Sequence, residues 1–240
     1  MKNITDFHTH ILPGIDDGSA SVEESLQLLN MLKEQGVRRV LFTPHFYPQR
    51  TSLEDFLSAR EASLQKLTSH PDFPQDMEYI TAAEVYYNHA LLNYTQEELQ
   101  KLFIPNTNFL LLEFPLKEKI TPAVCQRVIQ LIYNYDCTPI LAHIERYLSF
   151  ISNYDLEDLL EQGCRLQINL NSWEDLSFFK KRRLFRYIRG NWVDCCGTDC
   201  HDPDYRPPAF TESAKRLEQA VGSDYAEPII TAKNIFEANF

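Results

Sequence analysis

The chain has 240 residues, 44% of them hydrophobic, and a formal net charge of −11 from 23 basic and 34 acidic residues. That length suits one domain over residues 1–240 with a substantial core, and the apolar runs are too short to span a membrane. The negative balance argues against a nonspecific nucleic-acid surface, which needs a basic footprint.

The opening segment, MKNITDFHTH, lacks the apolar core of a signal peptide, so a cytoplasmic location is expected. The first predicted strand, Ile4 to Thr9, carries a His-x-His pair at its end, His8 and His10, which project to one face. Asp16-Asp17-Gly18 follows as a turn-prone loop, and either carboxylate could reach back over the strand end. Ser21-Val22-Glu23-Glu24 reads as a capping box. It opens a helix with Val22, Leu26, Leu29 and Leu32 near helical spacing, ending at Gly36. The second strand, Arg38 to Thr43, runs out at His45. Ser52 opens a second helix with Leu53, Phe56, Leu57, Leu64 and Leu67 as its buried face.

The third strand ends at Glu84, and the fourth, from Phe109, ends at Glu113. A helix from Thr121 to Tyr135 precedes the fifth strand, Pro139 to His143. After a helix from Asp155 to Gln162, the sixth strand ends in Asn169 and Asn171, which are polar but poor ligands. A helix from Glu174 to Arg189 leads to the seventh strand, which ends at Asp199 and His201, and a last helix spans Pro208 to Ala220. His70 and His89 lie away from strand ends and read as surface residues.

Strands apolar on both faces, alternating with helices, belong in a parallel sheet covered by helices. Seven βα units suggest an α/β barrel with its chemistry at the C-terminal strand ends. An open doubly wound sheet would spread those ends along a line. One barrel rim instead gathers His8, His10, His45, Glu84, Glu113, His143, Asp199 and His201 into a single mouth. Imidazole with carboxylate suits Zn, Fe or Mn. Arg146 and Arg206 follow two of these strand ends, and a guanidinium beside a metal mouth is shaped to hold phosphate oxygens bidentately.

Cys200 and Arg206 also match C-x₅-R, the spacing of cysteine-dependent phosphatases. That chemistry needs a loop of backbone N–H groups around phosphate. Here Pro203 has none, and Asp202 and Asp204 would repel a dianion. The six cysteines lack C-x-x-C spacing and read as reduced, mostly buried thiols.

Several stretches carry a resemblance: Asp6-Phe7-His8-Thr9-His10-Ile11-Leu12-Pro13, Asp16-Asp17-Gly18, Thr43-Pro44-His45, Ala83-Glu84-Val85-Tyr86-Tyr87, Leu112-Glu113-Phe114, Ala142-His143-Ile144-Glu145-Arg146-Tyr147, Thr198-Asp199-Cys200-His201 and Arg206-Pro207-Pro208. In these the chain resembles the PHP (polymerase and histidinol phosphatase) superfamily. Within it, the chain is similar to the bacterial protein-tyrosine phosphatases of capsule and exopolysaccharide gene clusters, over nearly its whole length. Thr198 is a mild departure, since a smaller residue usually precedes the final Asp. The resemblance implies a distorted (β/α)₇ barrel (the PHP fold) with three divalent ions, usually manganese or iron. It assigns His8, His10, Glu84 and Asp199 to one ion. It assigns Glu84, Glu113 and His143 to a second, and Asp17, His45 and His201 to a third. Only the resemblance selects Asp17 over Asp16. It makes Arg146 and Arg206 phosphate-binding residues and implies hydrolysis of phosphotyrosine by metal-bound hydroxide. The implied partner is the tyrosine-phosphorylated tail of a bacterial tyrosine kinase that controls polysaccharide export.

Three divalent ions would bring about +6 against about −4 from four carboxylates, so a locally cationic site can exist in an acidic protein. The rival readings are a small-molecule phosphomonoesterase of the histidinol-phosphate type, an amidohydrolase-like hydrolase, and a barrel that only binds a kinase.

Overall fold

A computed structural model describes residues 3–237. Residues 1–2 and 238–240, which the 1–240 domain expectation includes, lie outside the described residues. In chain order the elements are β1 (Thr5–Thr9), α1 (Val22–Glu34), β2 (Arg39–Phe42), β3 (His45–Phe46), α2 (Leu53–Thr68), β4 (Glu78–Thr81), β5 (Glu84–Tyr86), α3 (Gln96–Gln100) and β6 (Phe109–Glu113). They continue with α4 (Pro122–Tyr135), β7 (Thr138–Leu141), α5 (Asn153–Glu161), β8 (Arg165–Asn169), α6 (Phe178–Arg189), β9 (Val193–Gly197), α7 (Phe210–Val221), α8 (Ser223–Thr231) and α9 (Lys233–Phe236).

Every strand pair is parallel, and the fold is α/β. The strands form two sheets, β1-β2-β4 and β3-β5-β6-β7-β8-β9. Two of the seven expected strands are each split in two. Pro44, which cannot donate to a ladder, separates β2 from β3, and Ala82-Ala83 separates β4 from β5. The short pieces β3 and β5 then pair with each other in the second sheet, His45 opposite Glu84. On the far side, β1 meets the segment after β9 through His10 N–H to Cys200 O (3.0 Å) and Asp199 N–H to His8 O (2.8 Å). The arrangement fits a distorted barrel without one continuous closed ladder.

Helix boundaries follow local chemistry. Ser21 caps α1 by accepting from Glu24 N–H at 3.2 Å. The Glu24 carboxylate accepts from Ala20 N–H at 2.7 Å instead of from Ser21, so the expected reciprocal box is not formed. The full box is at Thr95 and Glu98, before α3. Gly36, at φ 83°, ends α1 in the left-handed conformation that glycine adopts most easily. The expected helix from Glu174 to Arg189 is broken. A 3₁₀ turn over Trp173–Asp175 is followed by extended Leu176, and α6 begins at Phe178.

The main core lies between sheet and helices, with Phe42, Phe46, Leu112, Leu141 and Ile168 fully buried. A smaller cluster joins Phe7, Leu41, Leu111 and Ile140 to Ile235 of α9. The C-terminal segment covers the starts of the strands: Thr5 Oγ1 donates to Thr231 O (3.2 Å) and Asn234 Nδ2 to Asp194 Oδ1 (2.9 Å). The opposite, C-terminal strand ends are left to the polar residues.

Candidate metal centre

The nine predicted ligand residues converge on one mouth, with Glu84 at its centre. Glu84 Oε2 lies 3.1 Å from His8 Nε2, 3.3 Å from His10 Nε2 and 3.0 Å from His45 Nδ1. Its Oε1 is 2.9 Å from His143 Nε2. Glu113 reaches His143 at 3.6 Å and His45 at 3.7 Å. Asp199 Oδ1 stands 3.4 Å from His10 Nε2 and 3.6 Å from His201 Nδ1. Asp17 Oδ1 is 3.5 Å from His45 Nε2 and 3.7 Å from His201 Nε2, on a side chain 70% exposed.

These atoms fall into overlapping groups compact enough to surround an ion: His10, Asp17, His45 and His201; His8, Glu84 and His143; His8, His10 and Asp199; His45, Glu84 and Glu113. All nine residues take part, and His8, His10, His45 and Glu84 are each shared between two groups. His70, 3.9 Å from Asp72, and exposed His89 stay outside.

The arrangement fits cations better than hydrogen bonds. Glu84 Oε2 and His45 Nδ1 are buried and make no hydrogen bond among the described residues, although they lie 3.0 Å apart. The Nε2 atoms of His8 and His10 approach to 3.1 Å. Ring nitrogens so placed direct lone pairs toward a common point, as ligands do. Without ions, charge is balanced by protons. Burial disfavours a cationic His10, but the Asp16 carboxylate holds its pKa well above the ordinary value. Burial and the charge of Glu84 push Glu113 up to about 7. Burial pushes His143 down to about 4, and burial with the charge of His10 does the same to His201. A cation entering this site competes with a proton on His10 and, near and below about pH 7, with one on Glu113. Mn²⁺ affinity, measured by calorimetry, should therefore fall at least about tenfold between about pH 8 and about pH 6. An affinity unchanged over that interval would contradict this protonation pattern.

Neighbours fix each ligand's direction. Asp16 Oδ2 accepts from His10 Nδ1 (2.8 Å) and His45 N–H (3.0 Å), while Oδ1 accepts from Gly18 N–H (3.0 Å). Burial would raise the Asp16 pKa, yet the His10 charge and these bonds hold it well below the carboxylate range. Asp16 is thus committed to orienting His10, and Asp17 is left facing His45 and His201. Gln167 Oε1 lies 3.4 Å from His8 Nδ1 and accepts from His143 N–H at 2.6 Å. Asn169 Nδ2 donates to Asp199 Oδ2 at 2.8 Å. The two arginines also meet on that oxygen, Arg146 Nη2 at 2.5 Å and Arg206 Nη2 at 2.8 Å.

Backbone shape completes the site. His143 (φ 33°) and Asp199 (φ 54°) are left-handed, a conformation costly for non-glycine residues and concentrated at functional sites. Each turns its side chain into the mouth just after its strand. Two glycines back the His-x-His pair. A Cβ on Gly18 would stand 2.1 Å from His10 O, and one on Gly197 would stand 2.5 Å from His8 Cβ and 2.7 Å from His8 N. Gly197→Ala should therefore cost roughly 1–3 kcal/mol of stability, as overpacking does. It should also reduce metal content by displacing His8. Thermal melting and metal analysis check this, and wild-type values for both would show that the strand yields without moving the ligand.

No sequence pattern signals the Gly197 contact, the Gln167 bridge or the left-handed turns. Asp6 carried the one available signal, since its alternation places it on the face of His8 and His10. It accepts from Thr198 N–H (2.9 Å) and Oγ1 (2.6 Å), which ties β1 to the segment leading into Asp199. Tyr47 and Tyr86 were also missed. Tyr47 lies 5.1 Å from the His45 ring, Tyr86 lies 5.2 Å from Tyr47, and the Arg50 guanidinium is 4.7 Å above Tyr47. Cys200 is fully buried, and burial pushes its thiol pKa far up, so it has neither the access nor the thiolate character of a nucleophile.

Known proteins resemble the chain over nearly its whole length. A family model described as capsular polysaccharide synthesis, CpsB/CapC, matches residues 4–236. Tyrosine-protein phosphatase CpsB of Streptococcus agalactiae serotype III (strain NEM316) is 28% identical over 236 residues, covering 93% of each chain. Tyrosine-protein phosphatase CpsB of Streptococcus pneumoniae is 29% identical over 240 residues, also covering 93% of each. A structure from work on YwqE of Bacillus subtilis and CpsB of Streptococcus pneumoniae, called unique metal-dependent tyrosine phosphatases, superposes with a TM-score of 0.78 at 21% identity. It covers 98% of this chain and 95% of its own, which shows a shared fold. The chain belongs to the CpsB/CapC capsular polysaccharide synthesis family.

Proposed function

We propose that this chain is a metal-dependent protein-tyrosine phosphatase, a single domain over residues 1–240. The observation that carries the reading is the convergence of five imidazoles and four carboxylates beside Arg146 and Arg206. The curated relatives named tyrosine-protein phosphatases support it. His8, His10, Glu84 and Asp199 would hold one divalent ion, Glu84, Glu113 and His143 a second, and Asp17, His45 and His201 a third. Manganese is the first choice, with iron or zinc also compatible with these donors. When bound, such ions supply Lewis acidity toward phosphoryl oxygens, a nucleophile from water near neutral pH, and charge stabilisation.

The protein's own groups do the rest. Arg146 and Arg206 turn from Asp199 toward an entering phosphate and hold its oxygens by charge-assisted hydrogen bonds. Asp16 and Gln167 keep the imidazoles aimed. The Tyr47–Tyr86 wall beside His45 offers apolar surface to an aromatic ring. That favours a tyrosyl phosphate over an alkyl one. A phenolate leaving group, with a pKa near 10, also departs more easily than an alkoxide. The substrate we assign is the phosphorylated tail of a bacterial tyrosine kinase acting in capsule or exopolysaccharide synthesis, met in the cytoplasm. No helix of the described residues is long and apolar enough to cross a membrane.

Phosphotyrosine peptides should be hydrolysed well ahead of phosphoserine peptides and of histidinol phosphate. Equal turnover of all three, or preference for histidinol phosphate, would move the assignment to a small-molecule phosphomonoesterase. Arg146→Ala should lower kcat/KM about ten- to a hundredfold, the equivalent of one lost charged hydrogen bond. Metal content should hold, because Arg206 and Asn169 still support Asp199 at 2.8 Å each. An unchanged kcat/KM would remove Arg146 from phosphate binding.

A further inference from the structure

Helix α6 stands apart from the rest of this acidic protein. Its twelve residues, FFKKRRLFRYIR, hold six of the chain's 23 basic residues and no acidic one. Phe178 and Phe179 at its start are 73% and 79% exposed. Among the described residues, only Arg186 of the six forms an ion pair, with Glu157. Arg183 has a different task. It donates to the carbonyls of Leu148 (2.8 Å), Ile151 (3.1 Å) and Ser152 (3.1 Å), binding α6 to the segment that carries Arg146. A cleft of about 890 Å³ lies along this junction, lined by Leu148, Phe179, Lys180, Arg182, Arg186 and Arg189 among others. It begins two residues beyond Arg146.

A basic cleft beside a phosphate-binding mouth selects what lies next to the phosphate. We propose that the α6 cleft docks an acidic stretch of the same polypeptide whose phosphotyrosine enters the metal mouth. The inference rests on the phosphotyrosine reading and adds to it the sequence that surrounds the tyrosine. Guanidinium groups pair bidentately with carboxylates, and Phe179 offers apolar contact to side chains between them. A long nucleic acid would meet the chain's net charge of −11 beyond this helix. A bilayer is flat and engages a protruding amphipathic face, whereas these cations line a concavity. A flexible acidic segment suits both the shape and the charge.

Lys180→Glu/Arg182→Glu tests the cleft, because neither side chain makes a hydrogen bond or ion pair among the described residues. Three probes are compared on the full chain. They are p-nitrophenyl phosphate, phosphotyrosine peptides with acidic or neutral flanks, and a fluorescent unphosphorylated Glu/Asp-rich peptide. The expected result is a KM about tenfold higher for the acidic-flanked substrate, with kcat kept, as a lost docking charge gives. Hydrolysis of p-nitrophenyl phosphate and of the neutral-flanked peptide should not change. The unphosphorylated acidic peptide should bind the wild type about tenfold tighter than the variant, and less tightly as salt rises. Should the variant fold poorly, competition on the wild type replaces it: the unphosphorylated peptide should inhibit cleavage of the acidic-flanked substrate and spare p-nitrophenyl phosphate. Equal loss on acidic and neutral peptides, or no acidic-peptide binding by the wild type, would overturn the proposal. So would a variant that loses only binding to phosphatidylglycerol vesicles, which would assign the helix to a membrane surface. Acidic-peptide binding through these residues in a protein that cleaves no phosphotyrosine would leave the cleft standing and reject the activity instead.

Discussion

Glu84→Gln should leave a folded protein with kcat/KM lowered by about a thousandfold or more, the scale of roughly 4 kcal/mol of lost transition-state stabilisation. The substitution keeps the side chain's volume and removes its charge. Glu84 lies within 3.3 Å of ring nitrogens from His8, His10, His45 and His143, so one change weakens every group of donors it joins. No neighbour can replace it. Asp199 is engaged by Arg146, Arg206 and Asn169 through one oxygen, and among the described residues the ion-pair contacts of Glu113 are with His143 and His45. Metal content measured on the same sample should fall with activity. A Glu84→Gln protein with full metal and near wild-type kcat/KM would show that the mouth is not organised around this carboxylate.

Chelation should abolish phosphatase activity and lower the melting temperature together. The mouth gathers four carboxylates and five imidazoles in overlapping groups whose donor atoms lie within 4.8 Å of one another, and a bound ion offsets the repulsion between neighbouring carboxylates such as Glu84 and Glu113. An ion present at a hundred times its dissociation constant stabilises the native state by about 2.7 kcal/mol per site. For a chain of this size that corresponds to roughly 5–10 °C. Added Mn²⁺ should restore both properties. Activity that survives verified removal of every ion would contradict the metal mechanism, and an unchanged melting temperature would mean that the site is rigid without its ions.

The strand-end pattern was readable because parallel strands are apolar runs, and a His, Glu or Asp closing such a run stands out. His8 and His10 could be placed on one face by alternation alone. The same reasoning misplaced Glu84, which starts β5 rather than ending the strand before it, because Ala82-Ala83 interrupts the ladder. What periodicity cannot carry is close approach between distant segments. Gly197 matters because His8 lies against it, and Gln167 matters because it touches both His8 and the His143 backbone. Asp16 and Asp17 are adjacent in sequence and differ only through what folds over them. The C-terminal helices from Ser223 to Phe236 were missed because they are short, one contains Pro228, and left-handed Ala232 separates them. Their stability comes from packing against the strand starts more than from local propensity.

Titrating metal back into metal-free protein while following hydrolysis of a phosphotyrosine peptide tests the central claim most directly. Ions bound per chain are counted by elemental analysis at each point. Activity should be absent in the metal-free protein, rise with bound Mn²⁺, and reach its plateau at about three ions per chain, the number the proposed ligand assignment requires. Full phosphotyrosine hydrolysis with no ion bound, or no hydrolysis at the fully loaded plateau, would contradict the account.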